Sequence, residues 1–149
     1  DLFSMTISNR IQIVLVVGFF VAAIAGGLPL EQIGLHVAAC LAVLVAGFVC
    51  FAMRWMGGGD AKLAAAIALW FGIDFSLLQF LLIGSLYGAF LTFGIIWLRD
   101  QPLPALARSQ GWIVRLHAPK TGIPYGIALS AGALSVFPLT FWMNLAIAS

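Results

Sequence analysis

The chain of 149 residues is 63% hydrophobic and only 8% charged, and its mean hydropathy is +1.12. A soluble fold of this length has too little interior for so much apolar surface, so the composition excludes an ordinary soluble domain. With a formal net charge of only +2, the sequence indicates a polytopic membrane protein. We expect the lipid bilayer as its partner and no nucleic-acid partner.

Five apolar runs follow one another along the chain and give the predicted elements. A helix needs about 20 apolar residues to cross the hydrocarbon core of a bilayer, so the third run is short for a span. The links after the first and third runs are tight, which predicts antiparallel neighbours. The predicted fold class is all-α, a polytopic transmembrane helical bundle with five spans in a single domain over residues 1–149. The runs are residues 11–28, 33–53, 61–75, 77–98 and 123–147.

The cations predict the orientation of the bundle. If the five spans alternate in direction, every Lys and Arg residue falls on the same side, which the positive-inside rule makes cytoplasmic. The same assignment places Asp1, Asp60 and Asp100 on that side. The seven cations are Arg10, Arg54, Lys62, Arg99, Arg108, Arg115 and Lys120.

Residues 54–63, RWMGGGDAKL, join two apolar runs in an unusual way. Consecutive glycines cost helix stability, and a carboxylate at the edge of a bilayer is unfavourable. Irregular backbone at membrane depth is tolerated only where protein or water satisfies it. One interpretation is a flexible turn followed by a helix that Asp60 caps. The other is an active-site acid, because the short run that follows suggests a turn set into the membrane.

An aspartic hydrolytic site needs two carboxylates that share a water and one proton. The ionised carboxylate acts as general base, and the protonated one polarises the substrate carbonyl. On the residues alone, the partner of Asp60 is either Asp1 or Asp100. The sequence holds no His/Cys cluster at zinc-ligand spacing, so we expect no metal and no cofactor.

Three segments resemble motifs of the type IV prepilin peptidases. The first ten residues, DLFSMTISNR, resemble the family's Asp-x5-Ile-Pro-Asn pattern at Asp1, Ile7 and Asn9. The stretch GGGDAKL carries a Gly-x-Gly-Asp motif, and residues 120–134, KTGIPYGIALSAGAL, are similar to the family's last-helix motif. The motifs occur in the family's order over essentially the whole chain, which is most like the short members that serve Tad/Flp-type pili.

The resemblance implies a membrane-embedded aspartic endopeptidase. Its substrate would be a prepilin or pseudopilin, cut at the cytoplasmic face of the bacterial inner membrane after the glycine that ends a short basic leader. Pilus assembly proteins are further expected partners. The Lys62 charge would favour an ionised Asp60, although a lysine reaching towards solvent at a helix start is the simpler interpretation. The resemblance gives the catalytic residues Asp1 and Asp60, and the loop-shaping or substrate-binding residues Gly57, Gly58, Gly59 and Lys62.

The sequence departs from the family pattern in three places. Ser8 stands where the family usually has proline. Family members carry a transmembrane helix that ends at the first aspartate, so we expect a longer protein with six spans. Larger members have a cytoplasmic domain with paired CxxC motifs that accompanies N-methylation of the pilin, and we predict no methyltransferase activity here. We expect the basic segment 99–122 to face anionic lipid.

Two alternatives remain open at this point. The presenilin and signal-peptide-peptidase group also uses a Gly-x-Gly-Asp motif, and Pro-Ala-Leu occurs at residues 104–106. In that group, however, the two aspartates lie on adjacent helices, whereas two spans separate Asp1 from Asp60. A non-enzymatic assembly or transport subunit with a glycine hinge would explain GGGD, but not the motifs at both ends of the chain.

Overall fold

The computed structural model describes residues 7–101 and 123–143. This part of the chain is all-helical and contains no strand, which confirms the predicted fold class at that level. Each predicted apolar run overlaps one α-helix, although the helix in the fifth run covers only part of it. The helices are α1 (Asn9–Ala25), α2 (Leu30–Ala52), α3 (Gly58–Phe71), α4 (Phe75–Arg99) and α5 (Tyr125–Val136), and a 3₁₀ turn (Phe137–Leu139) follows α5.

Two of these helices are long and apolar enough to cross a membrane. They are α2 with 23 residues and α4 with 25, and a rise of 1.5 Å per residue makes each about 35 Å long. The other helices, with 17, 14 and 12 residues, are shorter than the span length of about 20 residues. The helices therefore support membrane association, while the five-span count stays a prediction.

The turns that end α1 and α2 have the same form. Each contains a residue in the left-handed region, Gly27 (φ +64°) after α1 and Arg54 (φ +61°) after α2. At the second turn, the N–H of Trp55 donates to the carbonyl of Cys50, and the N–H of Arg54 donates to that of Phe51, both at 2.9 Å. This is a Schellman motif, in which glycine is the usual left-handed residue. A side chain in that conformation costs about 1–2 kcal/mol.

Helix α3 lies at the centre of the bundle. Ten of its 14 residues are buried, and it packs against α1, α2 and α5. Its run of alanines lets neighbouring backbones approach closely. A Cβ added at Gly47 of α2 would lie only 2.9 Å from the Cβ of Ala61. The first turn of α3 is therefore held closely against α2.

Polar and aromatic contacts fix the far end of α3. The Nδ1 of His36 donates to the carbonyl of Leu69 at 2.7 Å, and its ring lies 5.1 Å from that of Phe19. The Nε1 of Trp142 donates to the carbonyl of Trp70 at 2.7 Å. These bonds satisfy carbonyls at the C-terminal end of α3, which otherwise have no partner inside the helix.

Helices α4 and α5 cross at two glycines. A Cβ added at Gly132 of α5 would lie 2.8 Å from the Cα of Gly84 on α4. Small residues at such a crossing let two apolar helices pack backbone to backbone, which is a common way to join helices in a membrane. The contact leaves no room for a side chain and fixes α5 against α4.

Candidate active site

Asp60 occupies the first turn of α3, three residues after the N-cap Gly57. The N–H of Gly57 donates to its carboxylate. A side chain at this position that reaches back to the N-cap N–H forms half of a capping box. The helix-capping interpretation of Asp60 therefore describes a contact that exists. It does not explain why the residue is only 9% exposed.

A second hydrogen-bond donor reaches Asp60 from another helix. The N–H of Gly126, in the first turn of α5, also donates to the carboxylate. The starts of α3 and α5 thus meet at one carboxyl group, and each helix start carries a partial positive charge that stabilises a nearby anion. Sequence reasoning missed this donor, because a backbone N–H has no side-chain signature.

Burial and these two donors act on Asp60 in opposite directions. Burial raises the pKa of the Asp60 carboxyl above its ordinary value, and the N–H groups of Gly57 and Gly126 lower it by a smaller amount. Asp60 belongs to neither α2 nor α4, the two helices that qualify as membrane spans. A carboxyl group that keeps its proton to higher pH than usual is suited to acid–base chemistry.

The carboxyl group faces a cavity of about 650 Å³. Asp60 is the only acidic residue among the described residues that line it, and Arg54 and Lys62 contribute the cations. Trp55 and Tyr125 are among the aromatic residues of the lining. A space of this size, with few polar groups in a largely apolar lining, is typical of a site for a peptide or a small ligand.

The cavity brings together parts of all three motif segments. Its walls include Ile7 and Asn9 from the first segment, residues 57–60 and Lys62 from the second and residues 123–125 from the third. Gln12 on α1 strengthens this arrangement, because its Nε2 donates to the carbonyl of Gly59 at 3.4 Å. The Oε1 of Gln12 is buried without a hydrogen-bond partner among the described residues.

Each glycine of the second motif has a different neighbour that limits the space for a side chain. A Cβ added at Gly57 would lie 2.9 Å from the Oδ2 of Asp60, and one added at Gly59 would lie 3.4 Å from the Cβ of Ile7. At Gly58, an added Cβ would lie 3.4 Å from the ring of Phe51. Gly57 therefore makes room for the carboxylate, a reason that the sequence did not reveal.

The remaining predicted site residues differ in where the structure places them. Asp1 lies outside the described residues, as does most of the basic segment 99–122. Asp100 is exposed just after α4 and does not line the cavity. Lys62 is exposed on the cavity wall, and its effect on Asp60 stays a prediction.

Fold and site together define the class: an all-helical, membrane-associated protein with a buried carboxyl group facing a cavity at one end of the bundle. The model of the type IV leader peptidase family matches residues 1–108, more than half of the 149 residues. The chain belongs to this family. No match was found among curated proteins or among solved structures.

Family membership confirms the resemblance that the motifs indicated. The matched range contains the first two motif segments, whereas residues 120–134 lie beyond it. The protein is accordingly a hydrolase of the leader-peptidase kind, with a prepilin-type substrate in general terms. The family favours this function over a presenilin-type protease and over a non-enzymatic membrane subunit.

Proposed function

We propose that this protein is an aspartic endopeptidase that removes the leader peptide from Flp-type prepilins or pseudopilins, with Asp1 and Asp60 as its catalytic pair. The observation that carries the proposal is the buried Asp60 carboxyl, held by two helix starts in a cavity that all three motif segments line. Gly57, Gly58 and Gly59 shape the turn that presents this carboxyl.

The choice of Asp1 over Asp100 rests on the position of the first motif segment. Ile7 lies against Gly59, since a Cβ added there would be 3.4 Å from the Cβ of Ile7. The six residues from Asp1 to Ile7 span at most about 20 Å when fully extended, so Asp1 is within reach of the cavity. Asp100, by contrast, lies exposed outside the cavity lining.

In the proposed mechanism the two carboxyl groups share one proton and hold a water between them. The ionised carboxylate removes a proton from the water, which attacks the carbonyl carbon of the scissile peptide bond. The protonated carboxyl hydrogen-bonds the carbonyl oxygen and stabilises the charge that develops there. As the C–N bond breaks, the leaving amine takes the proton that the general base removed from the water, and the carboxyl pair again shares one proton.

The cations at the cavity support a cytoplasmic orientation of the site. Arg54 and Lys62 line the cavity, and Arg10 lies in the first turn of α1, next to the lining residue Asn9. In the proposed topology, all three are on the side that the positive-inside rule makes cytoplasmic. The active site would therefore face the cytoplasm from the inner membrane, in a domain of five spans, or six with a preceding helix.

The test is cleavage of a co-expressed Flp-type prepilin in membranes, followed by its size shift. Asp1→Asn and Asp60→Asn should each abolish cleavage, because Asn keeps the shape and loses the titrating acid. Asp100→Asn is the matched control and should cut at the wild-type rate. If cleavage survives in Asp1→Asn and fails in Asp100→Asn, the partner of Asp60 is Asp100 and not Asp1. Activity in the Asp60→Asn variant would contradict the aspartic mechanism.

A further inference from the structure

Tyr125 connects the wall of the cavity to α4. It is the first residue of α5, and it lines the cavity. Its ring lies against the backbone of α4 at Gly88, where an added Cβ would be 3.1 Å from the ring Cε1. Glycine at 88 therefore gives the Tyr125 ring the space it occupies.

The hydroxyl group of Tyr125 is also bound to α4, and the direction of that bond is fixed. The Oγ1 of Thr92 donates to the carbonyl of Gly88 at 2.7 Å. A hydroxyl group has only one hydrogen, so Thr92 cannot donate a second time. In the contact of 3.0 Å between the two hydroxyls, Tyr125 is therefore the donor and Thr92 the acceptor.

The residue after Tyr125 holds Asp60. The N–H of Gly126 donates to the Asp60 carboxylate and belongs to the peptide unit that begins at the carbonyl of Tyr125. Any rotation of the start of α5 would move the Tyr125 side chain and the Gly126 N–H together. The hydrogen bond between the Tyr125 and Thr92 hydroxyls therefore restrains the Gly126 N–H, which donates to Asp60 on α3.

We propose that Thr92 and Tyr125 are positioning residues: their hydroxyl pair fixes the start of α5, so that the Gly126 N–H stays directed at Asp60. This inference rests on the proposed function, in which Asp60 takes part in peptide cleavage. The pair orients the carboxyl group across three helices, α4, α5 and α3. It acts through the backbone of Gly126 and not on the peptide that is cut.

Three variants test the hydroxyl pair. Tyr125→Phe removes one hydroxyl and keeps the ring, and Thr92→Val removes the other and keeps the shape of the side chain. Thr92→Ser keeps the hydroxyl and serves as the conservative variant. The matched control is Tyr87→Phe, because the hydroxyl of Tyr87 contacts the Oγ of Ser135 at 3.2 Å and joins the same two helices. Neither Tyr87 nor Ser135 lines the cavity.

The first readout is the kcat of prepilin cleavage by the full protein in membranes. A catalytic group misplaced by about 1 Å can cost as much as about 100-fold in rate, so a smaller displacement predicts a loss of about tenfold for Tyr125→Phe and for Thr92→Val. The double variant should be no slower than either single one, because both remove the same bond. Thr92→Ser should restore most of the rate lost in Thr92→Val, and Tyr87→Phe should leave kcat unchanged.

The second readout needs no substrate. Dicyclohexylcarbodiimide modifies protonated carboxyl groups, and mass spectrometry of the purified protein gives the pH midpoint of modification at Asp60. Weakening the Gly126 donor destabilises the carboxylate, so Tyr125→Phe and Thr92→Val should move this midpoint to higher pH. The charged groups Arg54 and Lys62, which line the same cavity, are unchanged in every variant and do not contribute to the difference.

The two readouts separate the inference from the proposed function. If the wild type cuts no prepilin and the midpoint still moves, the positioning role stands and the peptidase proposal fails. An unmoved midpoint in both hydroxyl variants would overturn the positioning role. So would additive kcat losses, or a loss in Tyr125→Phe that Thr92→Val does not reproduce, because the Tyr125 hydroxyl would then act independently of Thr92.

Discussion

The tightest steric constraint at the candidate site is at Gly57, and it gives a sharp prediction for Gly57→Ala. The backbone at Gly57 is extended, with φ −71° and ψ 143°, so alanine fits the backbone conformation. Its Cβ, however, would lie 2.9 Å from the Oδ2 of Asp60. Because ordinary contacts begin near 3.4 Å, the carboxylate must move by about half an ångström. That displacement misaligns it with its two backbone donors.

The size of the effect follows from those donors. A hydrogen bond to a charged group contributes about 1.5–3 kcal/mol. Losing the alignment of one such bond, about 2 kcal/mol, corresponds to a fall of about 30-fold in rate, since each 1.36 kcal/mol is tenfold. The global stability should change less, because alanine in place of glycine at an N-cap costs about 1 kcal/mol or less.

Prepilin cleavage in membranes, normalised to the amount of protein, measures this effect, and thermal unfolding in detergent measures stability. The control is Gly94→Ala on α4, where an added Cβ meets nothing within 4 Å. This variant should keep its rate and gain some stability, since alanine favours a helix over glycine by about 1 kcal/mol. Cleavage by Gly57→Ala at the wild-type rate would refute the steric argument.

Two further predictions concern packing and protonation. Gly132→Ala should lower the unfolding temperature, because the added Cβ would meet the Gly84 backbone at 2.8 Å. Overpacking of this kind costs about 1–3 kcal/mol. If Gly132→Ala unfolds at or above the unfolding temperature of Gly94→Ala, the prediction is wrong. The raised pKa of Asp60 means that the folded state favours the protonated form, so its contribution to stability is present at low pH and lost as pH rises through the folded pKa. Asp60→Asn should therefore gain stability relative to wild type as pH rises above about 4, the ordinary pKa of an aspartate. Unfolding scans in detergent measure this difference, and a constant or opposite difference would show that the carboxyl carries no such penalty.

The sequence predicted the helices well because apolar runs are a strong local signal. Each of the five runs overlaps a helix, and Gly27 follows the end of α1, where glycine is expected. Helix lengths were less predictable, since α5 ends at Val136, just before Pro138, and the 3₁₀ turn follows. The left-handed conformation of Arg54 could not be predicted from the sequence either. A Schellman turn normally carries glycine at that position.

The candidate site was predictable only in part, for a physical reason. The glycine-rich turn pointed to Asp60, and the family resemblance pointed to the three segments that line the cavity. The donor at Gly126 and the steric role of Gly57 depend on distances between backbone atoms of separate helices. Such distances leave no pattern in one sequence. The role of Thr92 is equally hidden, because a threonine inside an apolar helix has many possible partners.

The two interpretations of Asp60, helix cap and active-site acid, describe different parts of its surroundings. A cap needs only one backbone donor, at the start of its own helix. Asp60 has that donor in Gly57, but it is also buried, bound by Gly126 of another helix, and turned towards a cavity. A carboxylate has about four acceptor sites, and two backbone donors leave the others for the cavity. In the proposed pair, those sites hold the water that Asp60 shares with the second carboxyl group.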